Sequence, residues 1–94
     1  MIFMVRRNLQ GASIEDVEAG LFRTYTCVAY FPGVKWINSY WDSEKGQALC
    51  VYEADSEQQL RDHSDRARVP CDEVIPVSMF GPTMFASEDI AIEV

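Results

Sequence analysis

The stretch from Val34 to His63, VKWINSYWDSEKGQALCVYEADSEQQLRDH, constrains the fold more than any other part of the chain. Val34 to Asp42 alternates on a period of two, the side-chain period of a β-strand. That period puts Val34, Trp36 and Tyr40 on one side and Ile37 and Trp41 on the other. Ser43-Glu44-Lys45-Gly46 is polar and ends in glycine, which suits a hairpin loop. Gln47 to Ala54 is a second run rich in Leu, Val, Tyr and Cys. The two runs predict a β-hairpin. Asp55, with Gln58 three residues on, has the N-cap pairing that opens a helix. The helix runs from about Ser56 to Arg68, and Pro70 stops it. It carries His63, the only histidine and the one side chain that titrates near neutral pH.

The flanks complete the pattern. Ile2 to Arg7 is short, apolar and β-prone, and Asn8, Gln10 and Gly11 break it. Ser13 with Asp16 reads as a capping box, with Glu15 favoured in the first turn by the helix dipole. Ile14, Val17, Leu21, Tyr25 and Val28 recur at spacings of three and four, which predicts an amphipathic helix ending before Pro32-Gly33. In the second helix the inward stripe is thin: Leu60, Ala67 and Val69, with His63 and Ser64 among them. Val74 to Phe80 is a fourth strand. Pro76 inside it removes a ladder hydrogen bond, so this strand belongs at an edge or carries a bulge.

The order β-α-β-β-α-β is the ferredoxin-like layout, an α+β fold with one four-stranded antiparallel sheet and two helices on one face. Residues 1–82 form one such domain and 83–94 a C-terminal tail. The helices cover only one sheet face, yet the second strand is large and apolar on both of its sides. That predicts a second copy on the outer face, a back-to-back homodimer.

Charge narrows the partners. The net charge is −7, and phosphate neutralisation needs clustered Lys and Arg, so nucleic acid and anionic membrane surfaces are disfavoured. Cys27, Cys50 and Cys71 are widely spaced and odd in number, which reads as reduced thiols in a cytoplasmic protein. The N-terminal MIFMVRRNLQ has neither the charge order of a signal peptide nor the length of a membrane span.

The pattern GVKWINSYW at 33–41, then ALCVYEADSEQQLRDHSDRARVPCDEV at 48–74, resembles a family of small bacterial proteins of unknown function, some of them described as nickel-binding. The helix entry GASIEDVEA is also similar, and the resemblance spans roughly residues 2–82. It implies a ferredoxin-like dimer, with nickel or another divalent transition metal as cofactor. The family tends to carry an acid where Arg6 or Arg7 stands here, and Asp-Pro where this chain has Gly81-Pro82. If those acids help hold a metal in relatives, this chain lacks them.

The candidate chemistry is sparse. His63 matches the family's R-x-H position, and imidazole suits nickel, zinc and copper. Cys50 matches the family's C-V-Y and is the second candidate ligand. Trp36, Tyr40, Trp41 and Tyr52 are candidate pocket walls, and Asp42, Glu53 and Asp62 candidate carboxylates. Nucleophile elbow, P-loop, H-E-x-x-H and EF-hand motifs are all absent. The first reading is a non-catalytic cytosolic homodimer that binds a divalent transition metal through His63 and Cys50. The second is a small-molecule-binding protein or small enzyme, monooxygenase- or isomerase-like. Its pocket would lie between sheet and helices, lined by Trp36, Tyr40 and Tyr52 with His63 as acid/base. The third is an interaction module whose sheet or acidic tail binds another protein.

Overall fold

Alternation in the first strand decides which way the sheet faces. In β1 (Ile2–Asn8), Phe3, Val5 and Arg7 are buried, while Ile2, Met4 and Arg6 on the opposite face are half-buried. In the computed structural model, which describes residues 1–85, β1 is followed by α1 (Ile14–Cys27), β2 (Lys35–Asp42), β3 (Gln47–Glu53), α2 (Glu57–Ala67) and β4 (Glu73–Val77). The sheet order is β2-β3-β1-β4 and every pair is antiparallel. This is the expected ferredoxin-like α+β fold. The core lies between the sheet and the helices, built on Phe3, Val5, Cys50, Tyr52, Leu60 and Val74.

The predicted capping box is present. Ser13 Oγ accepts from the Asp16 amide at 3.1 Å, and the Asp16 carboxylate accepts from the Ser13 amide at 3.3 Å. The face that α1 buries differs from the expected stripe. Val17, Gly20 and Thr24 are buried, with Leu21 and Val28 partly so, whereas Ile14 and Tyr25 are exposed. Hydrophobicity alone favours Tyr25 over its neighbour Thr24. Thr24 tolerates burial because its hydroxyl donates to the Leu21 carbonyl of its own helix at 2.7 Å.

The hairpin loop falls on 43–46 as expected. Asp42 Oδ1 accepts from the Glu44 and Lys45 amides, both at 3.1 Å, and so closes the turn. Gly46 has φ +64°, and a Cβ there would stand 2.8 Å from Gln10 Cα, so the position needs glycine twice over. The facing of β2 differs from strict alternation. Trp36 pairs with Tyr52 and Asn38 pairs with Val51, so Ile37 is an extra residue, a β-bulge. Beyond the bulge the parity reverses. Ser39 and Trp41 share the helix side with Trp36, and Tyr40 turns to the outer side with Leu49. Both tryptophans pack on the core margin, and the Trp36 indole N–H donates to Ser39 Oγ at 2.9 Å.

Two boundaries move. The N-cap of α2 is Ser56, accepting from the Gln59 amide at 3.2 Å, one residue later than the expected Asp55 pairing. The Asp55 amide is satisfied by Gln59 Oε1 at 2.9 Å. β4 stops at Val77 rather than Phe80, and it is an edge strand, as Pro76 requires. Of the predicted tail, residues 83–85 end a short 3-10 turn at Pro82–Met84, and the rest lies outside the described residues.

Arg68 ends α2 in the left-handed region, at φ 57° and ψ 48°. That conformation costs an L-residue roughly 1–2 kcal/mol, and glycine or asparagine is the usual occupant. Arg68→Gly is therefore expected to stabilise the fold by about 0.5–1 kcal/mol after the extra chain entropy of glycine is subtracted. Thermal melting checks this, with a rise of a few degrees expected.

Candidate functional site

β1, β3 and α2 bring Arg7, Cys50, Tyr52, His63 and Ser64 into the layer between sheet and helices, and all five are buried. The strand parity of β1 puts Arg7 in line with Phe3 and Val5, so its guanidinium enters the core. Only 2% of Arg7 is exposed, and its partners are neutral. Nη1 donates to Ser64 Oγ at 2.9 Å and to the Pro70 carbonyl at 2.6 Å, and Nη2 donates to the Tyr52 hydroxyl at 3.3 Å. Among the described residues Arg7 makes no ion pair, and its buried Nε has no partner. Burial, the largest cause, pushes the Tyr52 phenol above its ordinary range, and Arg7 opposes that shift.

His63 is fully buried. Its Nε2 lies 2.8 Å from the Thr24 carbonyl, which only accepts, so Nε2 carries the proton. Thr24 is in the last turn of α1, where helix carbonyls lack an internal partner, and His63 supplies one from α2. The imidazole edges against Phe31 and Tyr52 at centroid distances of 5.6 and 5.5 Å. Its Nδ1 is buried and has no partner among the described residues. Burial lowers the pKa from the ordinary 6.5, the Thr24 carbonyl opposes this, and Arg7 lowers it further. The ring is therefore neutral at pH 7.

The expected metal pair does not form a site in this arrangement. His63 and Cys50 are both sealed from solvent. Arg7 repels positive charge at the His63 ring, so a cation on its one free lone pair is disfavoured. Among the described residues no three of His, Cys, Asp and Glu are placed to share an ion. The described residues of one chain therefore offer no nickel site. Asp42 is occupied by its turn, and Asp62 accepts from Gln58 Nε2 at 2.9 Å.

The expected pocket walls also separate. Tyr52 lies in the core, Tyr40 is on the outer sheet face, and Trp36 stands at the margin, edge-on to Tyr25 at 6.3 Å. The cavity beside Arg7, Val17, Gly20 and Thr24 measures only about 20 Å³, room for about one water molecule. Tyr52 and His63, expected to line a pocket, are both fully buried. Arg7 was the residue most open to earlier recognition, because it continues the inward Phe3–Val5 alternation.

On the outer face Met4 stands between Val51 and Ile75, with Ile2, Leu49 and Val77 in the flanking rows beside Arg6, Glu53 and Glu73. Beyond them a groove of about 310 Å³ opens between Met4, Tyr40 and Val51 and the segment holding Met79 and Phe80. Phe80 is 75% exposed and Tyr40 58%.

The fold defines a ferredoxin-like α+β protein with a buried polar layer between sheet and helices. The crystal structure of SCO4226 from Streptomyces coelicolor A3(2) matches it with a TM-score of 0.75 at 18% sequence identity, covering 86% of this chain and 100% of that one. A family model described as nickel responsive protein SCO4226-like matches residues 3–77. This chain belongs to that SCO4226-like family. No curated protein matches it. Among the described residues no helix is long and apolar enough to cross a membrane.

Two measurements test the buried layer. Arg7→Ala strips donors from Ser64, Pro70 and Tyr52 and leaves a hole, so urea unfolding should show a loss of about 3 kcal/mol. The neutral His63 makes stability depend on pH. Its folded pKa lies below the unfolded value, so its contribution is complete above about pH 6.5 and falls as the pH drops through that value. The slope cannot exceed about 1.4 kcal/mol per pH unit, the limit for one proton. In His63→Gln, which keeps an N–H donor, the fall in stability between about pH 7.5 and about pH 5.5 should be smaller.

Proposed function

We propose that this chain is a non-catalytic, cytosolic homodimer that responds to nickel by binding it at a site completed by two subunits. The nickel response rests on family membership, and this is the observation that carries the reading. The dimer rests on the outer sheet face. Its six apolar side chains lie on the side opposite the helices, and Tyr40, Met79 and Phe80 stand exposed beside them. A contiguous apolar patch of this kind is the usual mark of an interface. A sheet face laid against its own copy is self-complementary, as a two-fold interface must be.

The two-subunit metal site follows from the donor arrangement. The described part of one chain groups no three ligands, whereas a two-fold axis presents every donor twice. His63 and Cys50 stay out of this site because they face the helices, away from the paired sheets. His63 is buried and bonded to the Thr24 carbonyl, which suits an architectural role, and three widely spaced cysteines suit a reducing compartment.

Native mass spectrometry with and without nickel tests all of this together. The wild type should be a dimer at micromolar concentration and take up nickel in a whole-number ratio per dimer. Tyr40→Asp places a charge on the outer face and should give a folded monomer that takes up no nickel. His63→Gln should keep both properties. A monomeric wild type, or a Tyr40→Asp monomer that still loads nickel, would sink the reading.

A further inference from the structure

The C-terminal ends of the two helices open into a groove of about 520 Å³, on the helix side of the molecule and away from the outer sheet face. Arg23, Arg66 and Arg68 line it, with Thr26, Cys27 and Tyr30 between them. Charge makes this concentration unusual. The chain has 8 basic residues against 15 acids, yet three arginines face one groove and no Asp or Glu lines it. Among the described residues the two ion pairs are Arg6–Glu73 and Arg61–Glu57, so the groove arginines take part in neither.

Each of the three is held in place differently. Arg23 Nε donates to the Ala67 carbonyl at 2.8 Å and Nη2 to the Arg68 carbonyl at 3.3 Å. That is an ordinary task for a cation at a helix C-terminus, and it accounts for one arginine. It also covers the carbonyls that would otherwise repel an anion there. Arg66 lies flat on the Tyr30 ring, its Cζ 3.6 Å from the centroid, and none of its N–H groups has a partner among the described residues. Stacking fixes the plane of a guanidinium while leaving its edge free to donate. Arg68 occupies a left-handed position where glycine or asparagine would sit more easily, and its side chain has no partner among the described residues. Helix capping therefore accounts for Arg23, while the N–H groups of Arg66 and Arg68 are left free to donate among the described residues.

We propose that this groove binds a small phosphorylated organic molecule. The phosphate would take charge-assisted hydrogen bonds from Arg66, Arg68 and the remaining Arg23 N–H groups, and the organic part would lie along Tyr30 and Ala29. Guanidinium forks match phosphate oxygens in pairs, and the volume is that of a small-molecule site. Local positive charge on an acidic protein also selects the small ligand, because the net charge of −7 repels an extended polyanion.

Calorimetric titration at low salt tests this, with adenosine monophosphate, inorganic phosphate and adenosine as probes. Adenosine monophosphate should bind with a dissociation constant below about 1 mM, phosphate more weakly, and adenosine undetectably. Arg66→Gln and Arg68→Asn should each weaken the nucleotide at least tenfold, with an unchanged circular dichroism spectrum. Arg68→Asn suits the left-handed backbone, so misfolding would not explain a loss. Lys45→Gln, in the hairpin turn at 43–46 and outside the groove lining, should change nothing. The proposal is overturned by adenosine binding as well as its monophosphate, by unchanged affinity in the two arginine variants, or by no binding of either phosphate compound. Tyr40→Asp leaves the groove intact, so this result and the dimer result are read separately.

Discussion

A cation sealed in the core without a carboxylate is the constraint around which the rest is arranged. Arg7 is tolerated because three neutral oxygens reach it, one on α2, one in the turn before β4 and one on β3. Burying a charge without such partners is prohibitive, so these elements are fixed relative to one another by one side chain. The neutral state of His63 is part of the same arrangement. A protonated imidazole would add a second buried cation beside the first. The polar layer ties the helices to the sheet: His63 joins α2 to α1, and Arg7 joins β1 to α2. These are tasks of architecture.

The elements themselves were legible in the residues. The capping box at Ser13, the turn at 43–46 and the edge position demanded by Pro76 are local signals, and local chemistry decides them. What the residues left open was facing. A period-two pattern assumes an unbroken ladder, and one extra residue at Ile37 reverses the parity of everything after it. The aromatic residues of β2 were legible as sheet residues, but not the side each would take. The same holds for α1, where a threonine whose hydroxyl bonds to its own helix displaces the tyrosine beside it from the buried stripe.

The candidate site was less legible than the fold. His63 and Cys50 have the right chemistry for a transition metal, and composition offers few other donors. Sequence gives donor type but not access, and both residues are closed off. Belonging to a nickel-responsive family directs attention to donors contributed by two chains. The arginine groove could not be seen from spacing, because Arg23 belongs to α1 and Arg66 and Arg68 lie at the far end of α2. Only the packing of the two helices brings them together.

The bulge at Ile37 has a consequence for comparing this chain with its relatives. A homologue that lacks the extra residue would run through this point as an unbroken ladder and keep the same letters downstream on the same faces. Counting positions without a gap would then equate the inward Trp41 with an outward neighbour. A gap belongs at Ile37 in such an alignment, and the identity of Tyr40 as an outward residue is defined only after that gap is set.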